Sequence, residues 1–223
     1  MGEAELRFND SQLILHASII IYGEAANDAL AIQIAKDIED LWNEADGKVI
    51  IRQNWFTKKS YSVRFNIEGR FDPNLTPQTV FENTNPRNNY FRIEEYANGN
   101  ISYVDGINSN TGYFKLQNLL DNSSTAAHEF GHTIGLDHPQ NLDIRGQGTP
   151  GIMYPRGTIV DPQFQYYPDV APGEKGGTLN PFTRKVLQKD IDDLKLNSLN
   201  FDDKGFAVLG GFSSVWHDKH IPQ

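Results

Sequence analysis

The sequence lacks cysteine altogether. This absence excludes disulfides, thiol catalysis and cysteine-ligated metals, and it leaves the redox compartment open. Basic residues are also outnumbered, because 20 Lys and Arg stand against 29 Asp and Glu, for a net charge of −9. So acidic a surface repels phosphate backbones, and no run of Lys and Arg counteracts that repulsion locally. We therefore expect no nucleic-acid partner.

Long hydrophobic runs are missing too. The longest apolar stretch, residues 13–22, is interrupted by His16 and Ser18. It is far shorter than the roughly 20 apolar residues that a membrane-spanning helix needs. No membrane partner is expected. The first ten residues are acidic rather than basic, so we expect no signal peptide in them.

The 223 residues have the composition of an ordinary globular protein, with 38% hydrophobic and 22% charged residues. Apolar, β-branched character predicts a strand at 13–23, and apolar residues at four-residue spacing predict an amphipathic helix at 24–45. Further strands are predicted at 48–55 and 61–71. Strands and helices in this succession predict an α/β (α+β) fold. The residues that define the helical stripe are Leu30, Ile34, Ile38 and Trp42.

The second half of the chain is less regular. Segments 89–97 and 101–106, joined by the turn NGN, predict a hairpin. A strand at 113–117 and a helix at 123–134 follow. Residues 139–180 show little periodicity and much Gly and Pro, and irregular stretches of such length are usually functional or disordered. A last helix is predicted at 180–196, and the tail from 197 has no assignable pattern.

Residues 128–139 read HEFGHTIGLDHP and contain the spacing HExxHxxGxxH. Residues four apart on a helix lie on the same face, so His128 and His132 can aim their rings at one point. His138 is six residues further on, about 240° around an ideal helix, and reaches that point only if the helix ends. Gly135 permits the turn, because glycine adopts the positive φ of a helix C-cap without steric cost.

Three neutral nitrogen ligands leave a fourth tetrahedral position open, which is typical of catalytic rather than structural zinc. The pattern therefore predicts one catalytic Zn²⁺ held by His128, His132 and His138. Glu129, next to the first ligand, can reach a water on the metal, whose pKa zinc lowers to about 7. We predict that Glu129 is the general base and that it returns the proton to the leaving amine.

The motif resembles that of the metzincin zinc endopeptidases, and HEFGHTIGLDH with MYP is similar to the matrixin and serralysin branches. The segment GIMYPRG, residues 151–157, resembles their Met-turn, with Met153 beneath the metal and Tyr154 and Pro155 lining the cleft. The resemblance implies a single metallopeptidase domain over 1–223. Its N-terminal part, 1–138, would hold a twisted mixed sheet and the active-site helix. A small irregular C-terminal part, 139–223, would hold the Met-turn and a C-terminal helix.

The resemblance also implies partners. A protein or peptide substrate would bind in extended conformation along an edge strand, for which 101–106 is the candidate. GIMYPRG and NPFTRKV are similar to metallopeptidase modules of large bacterial toxins or effectors. That likeness implies a location outside the producing cell, and a protein inhibitor or immunity partner.

Two alternatives remain open from the sequence. The chain could be a zinc-stabilised binding module without catalysis, acting through the 139–180 loop. The Asx-rich segments 105–112 and 201–205 could hold Ca²⁺, but Asp, Asn and Gly are also the residues that turns require.

Overall fold

The computed structural model describes residues 1–52, 57–120 and 123–222. Within these residues the helices are α1 (Asp28–Glu44), α2 (Pro77–Phe81), α3 (Thr125–Thr133) and α4 (Gln188–Asp193). The strands are β1 (Gly2–Arg7), β2 (Gln12–Tyr22), β3 (Lys48–Arg52), β4 (Lys58–Phe71), β5 (Asn88–Glu94), β6 (Tyr103–Val104), β7 (Thr111–Lys115) and β8 (Phe206–Leu209). No helix in this part of the chain is both long and apolar enough to span a lipid bilayer.

All eight strands belong to one mixed sheet, with the order β3-β4-β2-β5-β7-β6 along its main path. Strands β2, β4, β5 and β7 are parallel, while β3 and β6 run antiparallel at the two edges. Strand β1 pairs with the first half of β2, and β8 pairs with β1. The prediction of a mixed α/β fold is confirmed.

Strand β2 lies in the middle of the sheet because it is apolar on both faces. Ile19, Ile20 and Ile21 are successive residues and all are buried. A continuous apolar run suits an interior parallel strand that is covered on both sides. The strand predicted at 13–23 is confirmed.

Helix α1 covers one face of the sheet with the apolar stripe that the sequence predicted. Leu30, Ile34, Ile38 and Trp42 are all buried. Asn27 caps the helix by accepting a hydrogen bond from the Leu30 N–H at 2.9 Å. At the far end of α1, the Trp42 indole donates to the Ala127 carbonyl at 3.1 Å and meets the Phe130 ring edge-on. Helix α1 therefore fixes the position of α3.

The prediction that 89–97 and 101–106 form a hairpin is wrong. Strand β7 lies between β5 and β6 and pairs with both, so the true hairpin is β6–β7. Burial explains the order, because the first four residues of β7 are buried whereas β6 is half-buried and suits an edge. Phe91 and Phe114 stack across β5 and β7 with ring centroids 4.5 Å apart, which fixes β7 in the interior position.

The helix predicted at 180–196 is much shorter in the structure. Residues 181–183 form a 3₁₀ turn, the next residues are extended, and α4 covers only six residues. Leu187 has extended backbone angles and donates its N–H to the Asp190 carboxylate at 2.7 Å, which starts α4 there. Val186, Ile191 and Leu194 are nevertheless buried, as their spacing predicted.

Other boundaries also differ from the predictions. The strand predicted at 48–55 is β3, and residues 53–55 lie outside the described part of the chain. The helix predicted at 123–134 begins at Thr125. Strands β1 and β8 were not predicted. Beyond β8, Trp216 of the tail stacks on Tyr22, the last residue of β2, with ring centroids 4.6 Å apart.

Candidate metal centre

Helix α3 carries the first half of the HExxHxxGxxH motif. All nine of its residues are buried, including His128, Glu129 and His132. A helix so enclosed cannot change its rotation without disrupting its packing against α1. The two histidines, four residues apart, therefore point to one place.

The chain reverses direction directly after α3. Gly135 has a φ of +108°, its N–H donates to the His132 carbonyl at 3.1 Å, and the Leu136 N–H donates to the Gly131 carbonyl at 2.9 Å. These two bonds are those of a helix C-cap with a left-handed residue. The Asn108 N–H, from the loop between β6 and β7, donates to the same His132 carbonyl at 2.8 Å. The structure thus places Gly135 at the turn that ends α3.

The reversal brings His138 back to the two helical histidines. His138 Nε2 lies 3.1 Å from His128 Nε2 and 3.1 Å from His132 Nε2. Nitrogen ligands at 2.0–2.1 Å from zinc in a tetrahedral arrangement lie about 3.3 Å apart. The three rings therefore fit a single tetrahedral ion. Among the residues that the structure describes, they form the one group of three or more histidines or carboxylates suited to a metal.

The remaining ring nitrogens fix the tautomers of both helical histidines. His128 Nδ1 lies 2.7 Å from the Ile152 carbonyl oxygen, and His132 Nδ1 lies 2.7 Å from the Leu136 carbonyl oxygen. A carbonyl oxygen only accepts, so each Nδ1 carries the proton and donates it. Each Nε2 is then left with its lone pair directed at the common point, as a metal ligand requires.

Burial also favours the protonation state that binds metal. It lowers the pKa of His128 well below the ordinary value, because the charged ring would lose its hydration. Burial lowers the pKa of His132 and of the more exposed His138 in the same direction. Neutral imidazole is the form that ligates, so the protein holds the three rings ready for an ion.

Glu129 is the carboxylate next to this group, and it is 7% exposed. Burial raises its pKa to about 8, while the Arg184 charge and a hydrogen bond with the Val104 backbone act in the opposite direction. Val104 belongs to the edge strand β6.

Arg184 is a buried residue of the centre that the sequence analysis missed. Its Nε donates to Ser124 Oγ at 3.0 Å, and its Nη1 donates to the Tyr154 carbonyl at 3.0 Å. Nη1 also lies 3.0 Å from His128 Nδ1, a packing contact because that nitrogen already donates to a carbonyl. Burial lowers the pKa of Arg184 to about 10, so it remains charged at neutral pH. No feature of the segment NPFTRKV singles this arginine out.

The segment after Ile152 packs against α3 at Gly131. Met153 is buried, and its sulfur lies against Gly131 of the helix. Tyr154 and Pro155 are half-buried. The Tyr154 carbonyl accepts from Arg184, and the Pro155 carbonyl accepts from the Thr158 backbone N–H at 3.0 Å. A cavity of about 440 Å³ lies beside this segment and includes His138, Met153 and Tyr154 in its walls.

The candidate edge strand and the Asx-rich segments can also be placed. Strand β6 pairs with β7 on one side, and no other described strand pairs with it. In segment 105–112, the Asp105 carboxylate accepts from Thr111 Oγ1 and lies 3.0 Å from His217 Nε2. In segment 201–205, the Asp202 carboxylate accepts from the N–H groups of Lys204 and Phe206. Both carboxylates thus serve the local fold.

No known family model matches the chain, and no curated protein matches it. Among solved structures it is similar to archaemetzincin from Methanopyrus kandleri, at 12% identity over 82% of this chain and 95% of that one, with a TM-score of 0.43. It is also similar to myroilysin, at 10% identity over 89% of this chain and 100% of that one, with a TM-score of 0.41. Likenesses this low do not identify a family, so function must be inferred from the residues themselves.

Proposed function

We propose that the chain is a zinc-dependent endopeptidase of the metzincin type. His128, His132 and His138 hold the ion, and Glu129 is the general base. One observation carries the proposal: three Nε2 atoms converge, with His138 Nε2 3.1 Å from each of the other two, beside a buried carboxylate. Three neutral nitrogen ligands leave the fourth position for water or substrate, which favours catalysis over a purely structural site.

When bound, zinc polarises the scissile carbonyl and makes a water easier to deprotonate. The protein supplies the proton transfers. Glu129 takes a proton from the attacking water and delivers it to the leaving amine. The Ile152 and Leu136 carbonyls keep the rings of His128 and His132 in one orientation throughout.

The substrate strand is proposed to bind antiparallel or parallel to β6 by main-chain hydrogen bonds. Support comes from the open outer edge of Tyr103–Val104 and from the contact between the Val104 backbone and Glu129. An extended peptide added to this edge would pass directly by the base. The proposed substrate is therefore a protein or peptide in extended conformation.

The finer features of the proposal follow from the resemblance of the motifs. We propose a single catalytic domain with parts 1–138 and 139–223, and a Met-turn at Met153 of the matrixin or serralysin kind. The packing of Met153 on Gly131 supports such a turn. Delivery of the domain outside the producing cell, as a toxin or effector module with a protein inhibitor or immunity partner, is proposed on the resemblance alone.

The test is the Glu129→Ala variant, compared with the wild-type chain and with Glu174→Ala at an exposed position. All three proteins should bind one zinc, measured by elemental analysis. The wild-type and Glu174→Ala proteins should cleave casein or a diverse peptide library, and Glu129→Ala should lose at least a hundredfold in rate. If zinc-loaded wild-type protein cleaves nothing, the chain is a zinc-stabilised binding module instead.

A further inference from the structure

The tail after β8 is fastened to the sheet at His217. Residues 212–222 have irregular backbone, so the position of the tail depends on its contacts with the sheet. The His217 N–H donates to the Tyr22 hydroxyl at 3.3 Å, and the His217 carbonyl accepts from Arg92 Nη1 at 3.0 Å. Trp216, the preceding residue, stacks on the same Tyr22. Side chains of β2 and β5 therefore hold the main chain of His217.

Arg92 is itself held in place. Its Nε and Nη2 donate to one carboxylate oxygen of Glu94 at 2.8 and 2.7 Å, and Glu94 is 2% exposed. The guanidinium also lies over the Tyr22 ring, 5.6 Å from its centroid. A charge-assisted pair that is so enclosed leaves the guanidinium few other positions, because any other would leave the Glu94 charge buried and unpaired. His217 is thus anchored on a firmly packed part of the sheet.

The His217 ring contacts the residues on both sides of Val104. Its Nε2 lies 3.0 Å from the Asp105 carboxylate, and since a carboxylate only accepts, Nε2 donates. The ring also meets the Tyr103 ring edge-on, with centroids 5.8 Å apart. Tyr103 and Asp105 are two residues apart, the spacing at which side chains of an extended strand share a face. His217 therefore holds the chain before and after Val104.

Val104 is the residue of β6 that meets the proposed base. Its backbone forms a hydrogen bond with the Glu129 carboxylate. The Asp105 oxygen that accepts from His217 also accepts from Thr111 Oγ1, and the Asp105 N–H donates to the Thr111 carbonyl at 3.0 Å. Thr111 is fully buried at the start of β7. The distance between β6 and Glu129 is therefore fixed by contacts that run from the tail through Asp105 to an interior strand.

We propose that His217 is a positioning residue for the substrate. Through Asp105 it holds β6 where the strand can pair with an extended peptide and direct that peptide past Glu129. His217 takes no part in the chemistry itself, so its contribution is to peptide binding rather than to the cleavage step. The inference rests on the proposed peptidase function for its substrate, but docking of a peptide on β6 does not require cleavage.

The kinetic test changes the contact one property at a time. His217→Phe keeps a ring against Tyr103 but removes the donor, and it should raise KM for an extended peptide about tenfold while kcat changes by less than about twofold. His217→Gln restores an N–H donor for Asp105 and should recover most of the wild-type KM. Asp105→Asn keeps an acceptor without the charge, so KM should rise about threefold, and it is the second variant should His217→Phe fail to fold.

His16→Phe is the matched control. His16 Nε2 lies 2.9 Å from the Glu5 carboxylate, and its side chain is 13% exposed against 12% for His217. This pair joins β2 to β1, so its loss should leave KM unchanged. Zinc content and thermal stability are measured on every variant. A lower melting temperature for His217→Phe with an unchanged KM would show a structural role only and overturn the proposal, as would a KM that rises equally in His16→Phe.

A binding test separates this inference from the proposed function. A fluorescent extended peptide is titrated into zinc-loaded Glu129→Ala protein and into the Glu129→Ala/His217→Phe double variant, which should bind it about tenfold more weakly. The same loss of affinity, with no cleavage by the wild-type protein, would support the role of His217 and contradict the peptidase. Equal affinity in the two proteins, or binding by neither, would overturn the role of His217.

Discussion

The sulfur of Met153 occupies the space where a side chain on Gly131 would stand. A Cβ built on Gly131 would overlap Met153 Sδ, so α3 and the segment around Met153 approach as closely as they do only because residue 131 is glycine. Gly131 lies between His128 and His132 on the helix. The distance between the histidine-bearing helix and the Ile152 carbonyl that orients His128 is therefore set by this contact.

Gly131→Ala should destabilise the protein. The added methyl group must displace Met153, and overpacking of a filled core costs about 1–3 kcal/mol, more than the better helix propensity of alanine returns. We expect a lower free energy of unfolding in urea and weaker zinc binding. Gly157→Ala is the matched control, because nothing lies within 4 Å of its Cβ position. Equal stability of the two variants would contradict the proposed contact.

Removal of any one of the three ligands should abolish stoichiometric zinc binding. His138→Ala is the informative variant, since His138 is exposed and its loss leaves the packing of α3 intact. Elemental analysis should show one zinc per wild-type chain and none in the variant. A chelator should also lower the thermal stability of the wild-type protein, because a ligand at 100 times its Kd stabilises by about 2.7 kcal/mol. His220→Ala, in the tail, should retain its zinc; a loss there would count against the assignment.

Acidification should release zinc at a pH below the ordinary histidine pKa of about 6.5. Burial lowers the pKa of all three histidines, so protons compete with the metal only at more acid pH. Zinc content after equilibration across pH 4–8 measures the midpoint, and peptide cleavage should fall along with the zinc. Half-release at or above pH 6.5 is the result that would contradict this prediction.

Asp190 should make the folded protein less stable as the pH rises, whereas zinc binding weakens as the pH falls. Burial raises its pKa from 3.8 to about 6, so the fold favours the neutral acid. The contribution of Asp190 to the free energy of unfolding amounts to about 3 kcal/mol. It is fully present below pH 3.8 and is lost as the pH rises through about 6. Asp190→Asn is neutral at every pH, so its stability should change less than that of the wild type between pH 4 and pH 7.

Urea unfolding of both proteins at the two pH values measures the difference. Asp203→Asn, at an exposed aspartate, is the control and should follow the wild-type pH dependence. If Asp190→Asn follows it too, the buried carboxyl does not titrate as proposed.

The sequence predicted the parts of the structure that depend on neighbours along the chain. The convergence of His128, His132 and His138 depends only on local geometry, namely one helical turn between the first two and a turn at Gly135 before the third. The stripe of α1 is local in the same sense. The strand order is not, because nothing in 89–106 shows that β7, further along the chain, will pair with β5. Arg184 was missed for a related reason, since its partners Ser124 and Tyr154 are distant in sequence.

The hydrogen bond from the Asn108 N–H to the His132 carbonyl links the hairpin loop to the end of α3. Asn108 sits in the loop that joins β6 to β7, and β6 is the strand on which a peptide is proposed to dock. Tension or displacement along that strand would thus be transmitted within a few residues to the backbone that carries a metal ligand. Binding of a peptide at β6 and the geometry of the three histidine ligands are then mechanically coupled. A tight-binding peptide that is not cleaved should therefore slow the exchange of the metal.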